Sequence, residues 1–142
     1  MTQYPLKSIL LVDDDEISNL FNKIFINKLN LDVEIQEALN GREAFTILSS
    51  DNPNPIKTPC LLLLDVKMPI MDGWEFLGQY EKEVDNETRD QIVVIMLTTS
   101  EDQADLIRAM KNPLISKFLQ KPLSERKITE IIKKYFKDVS AM

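Results

Sequence analysis

Two rhythms of apolar and polar positions take turns along this chain. Lys7-Ser-Ile-Leu-Leu-Val12 is a short apolar run that ends at Asp13-Asp14-Asp15, after which Ile17, Leu20, Phe21 and Ile24 recur at helical spacing through Leu29. Val33-Glu-Ile-Gln-Glu-Ala38 alternates like a strand, Asn40-Gly41 punctuates, and Ala44, Ile47 and Leu48 mark a second helix. Pro53, Pro55 and Pro59 exclude regular structure from the next segment, and Cys60-Leu-Leu-Leu-Leu64 then reads as a strand apolar on both faces. Met71-Asp72-Gly73 supplies a turn and a cap for a helix carrying Trp74, Phe76, Leu77 and Tyr80, which fades between Glu81 and Asp90. Ile92-Val-Val-Ile-Met-Leu97 is the fourth strand, and a fourth helix follows it to about Lys111, where Asn112-Pro113 stops it. Ile115 to Leu119 is a weaker fifth strand. Leu123, Ile128, Ile131, Ile132, Tyr135 and Phe136 define the last helix.

Five strands alternating with five helices predict an α/β fold: a doubly wound, five-stranded parallel sheet of order 2-1-3-4-5, the flavodoxin-like arrangement. We expect one domain over residues 1–142, with its core at 7–136. In such a fold the chemistry gathers at the carboxyl ends of the strands, near the switch point between the first and third.

Composition narrows that chemistry. The chain has 142 residues, 44% of them hydrophobic and 28% charged, which suits a globular domain. It contains no histidine, so Ser-His triads, His-metal sites and phosphohistidine carriers are excluded. Its single cysteine, Cys60, lies in an apolar run and reads as a buried free thiol. No stretch approaches the roughly 18 apolar residues of a membrane span and no secretory signal opens the chain, so a cytoplasmic location is expected. The net charge is −6, and because residues 121–138 hold six basic and three acidic side chains the remainder carries −9. An acidic body of this kind argues against nucleic-acid binding.

The positions just after the strands are Asp13 and Asp14, Asp65, Thr98, and Lys121-Pro122. Three carboxylates, a hydroxyl and an ammonium should therefore converge. Clustered carboxylates repel unless a cation intervenes, and hard oxygen ligands without His or Cys favour Mg²⁺. Asp15 divides evenly between this cluster and a helix-capping role.

Leu11-Val12-Asp13-Asp14-Asp15, Leu64-Asp65-Val66-Lys67-Met68-Pro69-Ile70-Met71-Asp72-Gly73, Leu97-Thr98-Thr99-Ser100 and Lys121-Pro122-Leu123 resemble, in order and spacing, the motifs of response regulator receiver domains of two-component signalling. The resemblance covers residues 7 to about 136. It implies that Asp65 accepts a phosphoryl group from a histidine kinase or a histidine phosphotransfer protein. It further implies that Asp14, Asp65 and the carbonyl of Lys67 ligate Mg²⁺ while Asp13 acts mainly through metal-bound water. Lys121 would contact the phosphoryl oxygens. Thr98 would swing towards them together with the aromatic three residues before that lysine, here Phe118. These movements reshape the face formed by the fourth helix, fifth strand and fifth helix, where a downstream protein target docks and where a homodimer is allowed.

Departures from the family pattern matter as well. Phe118 lacks the hydroxyl of the tyrosine often found there. Lys67 and Ser100 stand at positions that tune the lifetime of the phosphoryl group, and Thr99 replaces a smaller alanine, so slow self-dephosphorylation is expected. With no output domain after the last helix, the sequence reads as a stand-alone module acting through a partner, either as a relay intermediate that passes the phosphoryl group onward or as a regulator that docks on a target. A phosphorylation-independent receiver-like interaction module is the alternative. An aspartyl-nucleophile phosphohydrolase is disfavoured, because Lys67 occupies the place of its second acid and no cap domain is present.

Overall fold

Each apolar run becomes a strand of one sheet. The computed structural model describes residues 5–99 and 103–136. Its strands are β1 (Ser8–Val12), β2 (Glu34–Ala38), β3 (Cys60–Asp65), β4 (Ile92–Thr98) and β5 (Lys117–Gln120), all parallel, in the order β2-β1-β3-β4-β5. The expected topology is thus the one observed. The helices among the described residues are α1 (Glu16–Asn27), α2 (Gly41–Leu48), α3 (Gly73–Glu83), α4 (Asn86–Arg89), α5 (Gln103–Met110) and α6 (Glu125–Tyr135).

The sixth helix is the short α4, placed where α3 was expected to fade. Asp85 caps it, its carboxylate accepting from the Thr88 amide at 2.8 Å. No α4 residue is buried, so apolar periodicity carried no trace of it. The fifth strand also begins later than Ile115, because Asn112 and Ile115 close a turn (Ile115 N to Asn112 O, 3.1 Å).

Packing is in three layers. On one face of the sheet Leu10, Val12, Leu62, Leu64, Val94 and Met96 meet Ala44 and Leu48 of α2 and Phe76, Leu77 and Tyr80 of α3. On the other, Ile9, Leu11, Leu61, Leu63, Val93, Ile95 and Leu97 meet Ile26 of α1 and Ile128, Ile131 and Ile132 of α6. Every position of β1, β3 and β4 is buried, whereas β5 has no fully buried residue. The central strands are therefore held from both sides, and the polar residues at their carboxyl ends share that support. Cys60 is buried as expected, and burial pushes its thiol up to about 12, leaving it inert. Among the described residues no helix is long and apolar enough to cross a membrane.

Candidate functional site

The acidic cluster grows out of the ends of β1 and β3. Asp13 follows β1 and stays in the ladder, its amide donating to Ala38 O at 3.1 Å. Its Oδ1 accepts from the Asp15 amide at 2.9 Å, and its Oδ2 pairs closely with Lys121 Nζ. Asp15 caps α1, accepting from the Ile17 amide and the Ser18 hydroxyl, both at 3.0 Å. The Ser18 hydroxyl first, and the Ile17 amide next, hold the Asp15 carboxyl below its usual range. The third acid of the run is thereby assigned to the helix, and Asp13 and Asp14 remain for chemistry.

Asp65 is the last residue of β3, paired in register with Leu97. The chain then turns tightly back into α3. Gly73 N donates to Val66 O at 2.9 Å, and a Cβ at residue 73 would lie 2.5 Å from Asp65 O, so only glycine fits. Asp72 and Glu75 complete a capping box at the start of α3. Thr98 ends β4, buried at 3% exposure, and its carbonyl accepts from the Lys121 amide at 2.7 Å. That bond brings Lys121 back over the acids, with Nζ 3.4 Å from Asp65 Oδ2.

One carboxylate oxygen from each of Asp13, Asp14 and Asp65 lies within 4.8 Å of the others. Three carboxylates against one ammonium leave two net negative charges, the complement of a divalent cation bound through hard oxygens. The residues present therefore fit such an ion. Electrostatics agree: burial, opposed by Lys121 and reinforced by Asp13 and Asp14, pushes Asp65 up to about 6. Burial works against the Lys121 ammonium, but the Asp13 and Asp65 carboxylates outweigh it and hold its pKa above the usual value.

Asp13, Asp14, Asp65, Lys67, Thr98, Thr99 and Lys121 all line the depression at this end of the sheet. Lys67 and Thr99 stand exposed at its mouth. Phe118 is not among the lining residues; it is half-buried against the α2–α3 side of the core. Ser100 lies outside the described residues. Sequence reasoning placed Gly73 in the turn before α3 but not its close approach to Asp65, and it passed over Asn19, whose Nδ2 donates to Asp13 O at 3.0 Å. The sequence carried no signal for Asn19, because the apolar stripe of Ile17, Leu20, Phe21 and Ile24 lies on the opposite side of α1 and is the exposed one, while Asn19, Asn22 and Ile26 face inward.

A doubly wound sheet with acids after its first and third strands and a lysine after its fifth defines a signalling receiver. The model of the response regulator receiver domain matches residues 9–133, and the chain belongs to that family. It is 34% identical over 130 residues to sporulation initiation phosphotransferase F of Bacillus subtilis, covering 91% of this chain and 93% of that protein. It is 37% identical over 106 residues to a probable transcriptional regulator, ycf27, of Cyanophora paradoxa, covering 74% of this chain but only 38% of that longer protein. The crystal structure of a two-component response regulator from Cytophaga hutchinsonii superposes with a TM-score of 0.76 at 26% identity, over 92% of this chain and 96% of that one.

Proposed function

We propose that this receiver domain takes a phosphoryl group onto Asp65 from a phosphohistidine of a histidine kinase or phosphotransfer protein, with Mg²⁺, which Asp14, Asp65 and the Lys67 carbonyl would hold and Asp13 would support less directly. The observation that carries this reading is the placement of Asp65: a carboxylate buried at the end of the central strand, 3.4 Å from the Lys121 ammonium and within 4.8 Å of two further acids. An Asp65 oxygen attacks phosphorus, the P–N bond to the donor imidazole breaks with its electron pair, and the product is an acyl phosphate. Mg²⁺ supplies charge compensation for the phosphoryl oxygens, the main requirement of such transfers.

The chain's own groups do the rest. Lys121 moves from its two carboxylate partners onto the new phosphoryl oxygens. The Thr98 hydroxyl hydrogen-bonds them, and Phe118 repacks with it. The changed face is α5-β5-α6, presented to a protein target. Thr99 and Lys67, at the mouth, limit entry of the hydrolytic water and so prolong the phosphorylated state.

The test is intact mass after incubation with Mg²⁺ and acetyl phosphate. We expect one phosphoryl group on the unmutated chain, and none on Asp65→Asn or on the metal-free sample. No gain in any of the three, together with partner binding unchanged in Asp65→Asn, would favour a phosphorylation-independent interaction module.

A further inference from the structure

Asn19 sits on the inward face of α1 with 1% of its surface exposed, where a helix packed on a sheet is ordinarily apolar. Its Nδ2 donates to the main-chain carbonyl of Asp13 at 3.0 Å, while its Oδ1 is buried and has no hydrogen-bond partner among the described residues. A buried amide that is only half satisfied opposes folding, so packing gives no reason to place it here.

Its single bond gives a reason. Asp13 is restrained at its amide by Ala38 O, at Oδ1 by the Asp15 amide and at Oδ2 by Lys121. Asn19 adds the restraint at the carbonyl, which is the peptide that leads directly into Asp14. Without it the Asp13–Asp14 peptide loses the restraint on its carbonyl, and Asp14, which follows directly, is set less firmly beside Asp65. We infer that Asn19 is a positioning residue of the cation site: it fixes the Asp13 carbonyl so that Asp13 and Asp14 stand beside Asp65 before an ion arrives. This role rests on the metal-dependent phosphoacceptor reading of the site.

The two halves of the Asn19 amide make a specific prediction. In Asn19→Leu the orphan oxygen disappears along with the useful bond, and these changes oppose each other in folding. Only the loss of the bond acts on the cluster. Supporting groups behind metal ligands commonly change affinity by 10-fold or more.

The experiment is a titration of the full chain with MgCl₂ followed by amide chemical shifts, alongside melting in metal-free buffer. Asn19→Leu should bind Mg²⁺ about tenfold more weakly while melting within roughly 3 °C of the unmutated chain. Asn22→Leu, at a buried asparagine on the same helix face, should keep the original affinity. Asn19→Ala carries the same test should the leucine not be accommodated. Unchanged Mg²⁺ affinity in Asn19→Leu, or equal weakening in Asn22→Leu, overturns the positioning role and leaves the phosphoacceptor reading standing. Failure of the unmutated chain to bind Mg²⁺ overturns both.

Discussion

The two flanks of Asp65 are built differently. On the β1–α1 side every strand residue is buried, α1 is capped by Asp15 and anchored inward by Asn19, Asn22 and Ile26, and Asp13 is held at four atoms. On the β5–α5 side no residue of β5 is fully buried, and α5 buries only Ala109 while exposing Leu106, Ile107 and Met110. α1 exposes apolar side chains too, Ile17, Leu20, Phe21 and Ile24, and its one fully buried apolar residue is Ile26, so the contrast rests on the strands and on the bonds to Asp13. Local opening is cheapest where little apolar surface is buried. Asp65 therefore stands between a strand buried along its whole length and an edge strand with no fully buried residue, and the same sheet supplies both.

Truncation of one leucine at the centre of the sheet and one at the β5 edge gives the largest expected contrast. Leu63 on β3 is 2% exposed and sits in register between Leu11 and Ile95, whereas Leu119 on β5 is half-buried against the same layer. Leu63→Ala should cost about 2–5 kcal/mol and Leu119→Ala about 1 kcal/mol in urea unfolding. Equal costs would mean that the edge is as firmly packed as the centre, and the comparison would break.

The pH dependence of stability locates the strain at the carboxylate between the two flanks. With Asp65 at about 6 in the folded chain against 3.8 unfolded, the native state binds more protons between roughly pH 4 and 6. Stability from this group therefore falls as pH rises through that window, and it stays lost above it. Metal-free Asp65→Asn should be more stable than the unmutated chain at pH 7 by about 1–2 kcal/mol, with the gap closing below pH 4. Saturating Mg²⁺ at pH 7 should remove the gap as well, because the ion favours the charged carboxylate. A gap of the same size at pH 4 and pH 7 would show that something other than Asp65 ionisation sets it.

Most of this frame was legible in the sequence for physical reasons. A strand buried on both faces must be apolar throughout, so Cys60–Leu64 and Ile92–Leu97 announced the centre of the sheet, and Asp65 and Thr98 stood out as the polar residues that end them. The cluster of Asp13, Asp14 and Asp65 with Lys121 followed from topology, since parallel strands bring their carboxyl ends together. Interactions without periodicity escaped. α4 is specified by the Asp85 cap, Asn19 by one bond to a main-chain carbonyl, and Gly73 by the lack of room beside Asp65. Asp15 was ambiguous because capping and metal binding ask for the same side chain, and only the Ile17 and Ser18 bonds resolve it.

The smallest expected effect lies where the lightly packed α5 meets α3. Trp74, the second residue of α3, follows the glycine wedged against Asp65. Arg108 of α5 lies over its ring, 4.4 Å from the centroid. An exposed cation–π contact of this kind is worth about 0.5–1 kcal/mol, which suits a tie that holds a helix without immobilising it. Arg108→Gln should therefore destabilise the chain by no more than that. Since the chain has one tryptophan, its emission and its accessibility to iodide report the loss directly. Arg108→Lys should retain part of the effect. If iodide reaches Trp74 equally in all three proteins, the contact is not populated and does not tie α5 to α3.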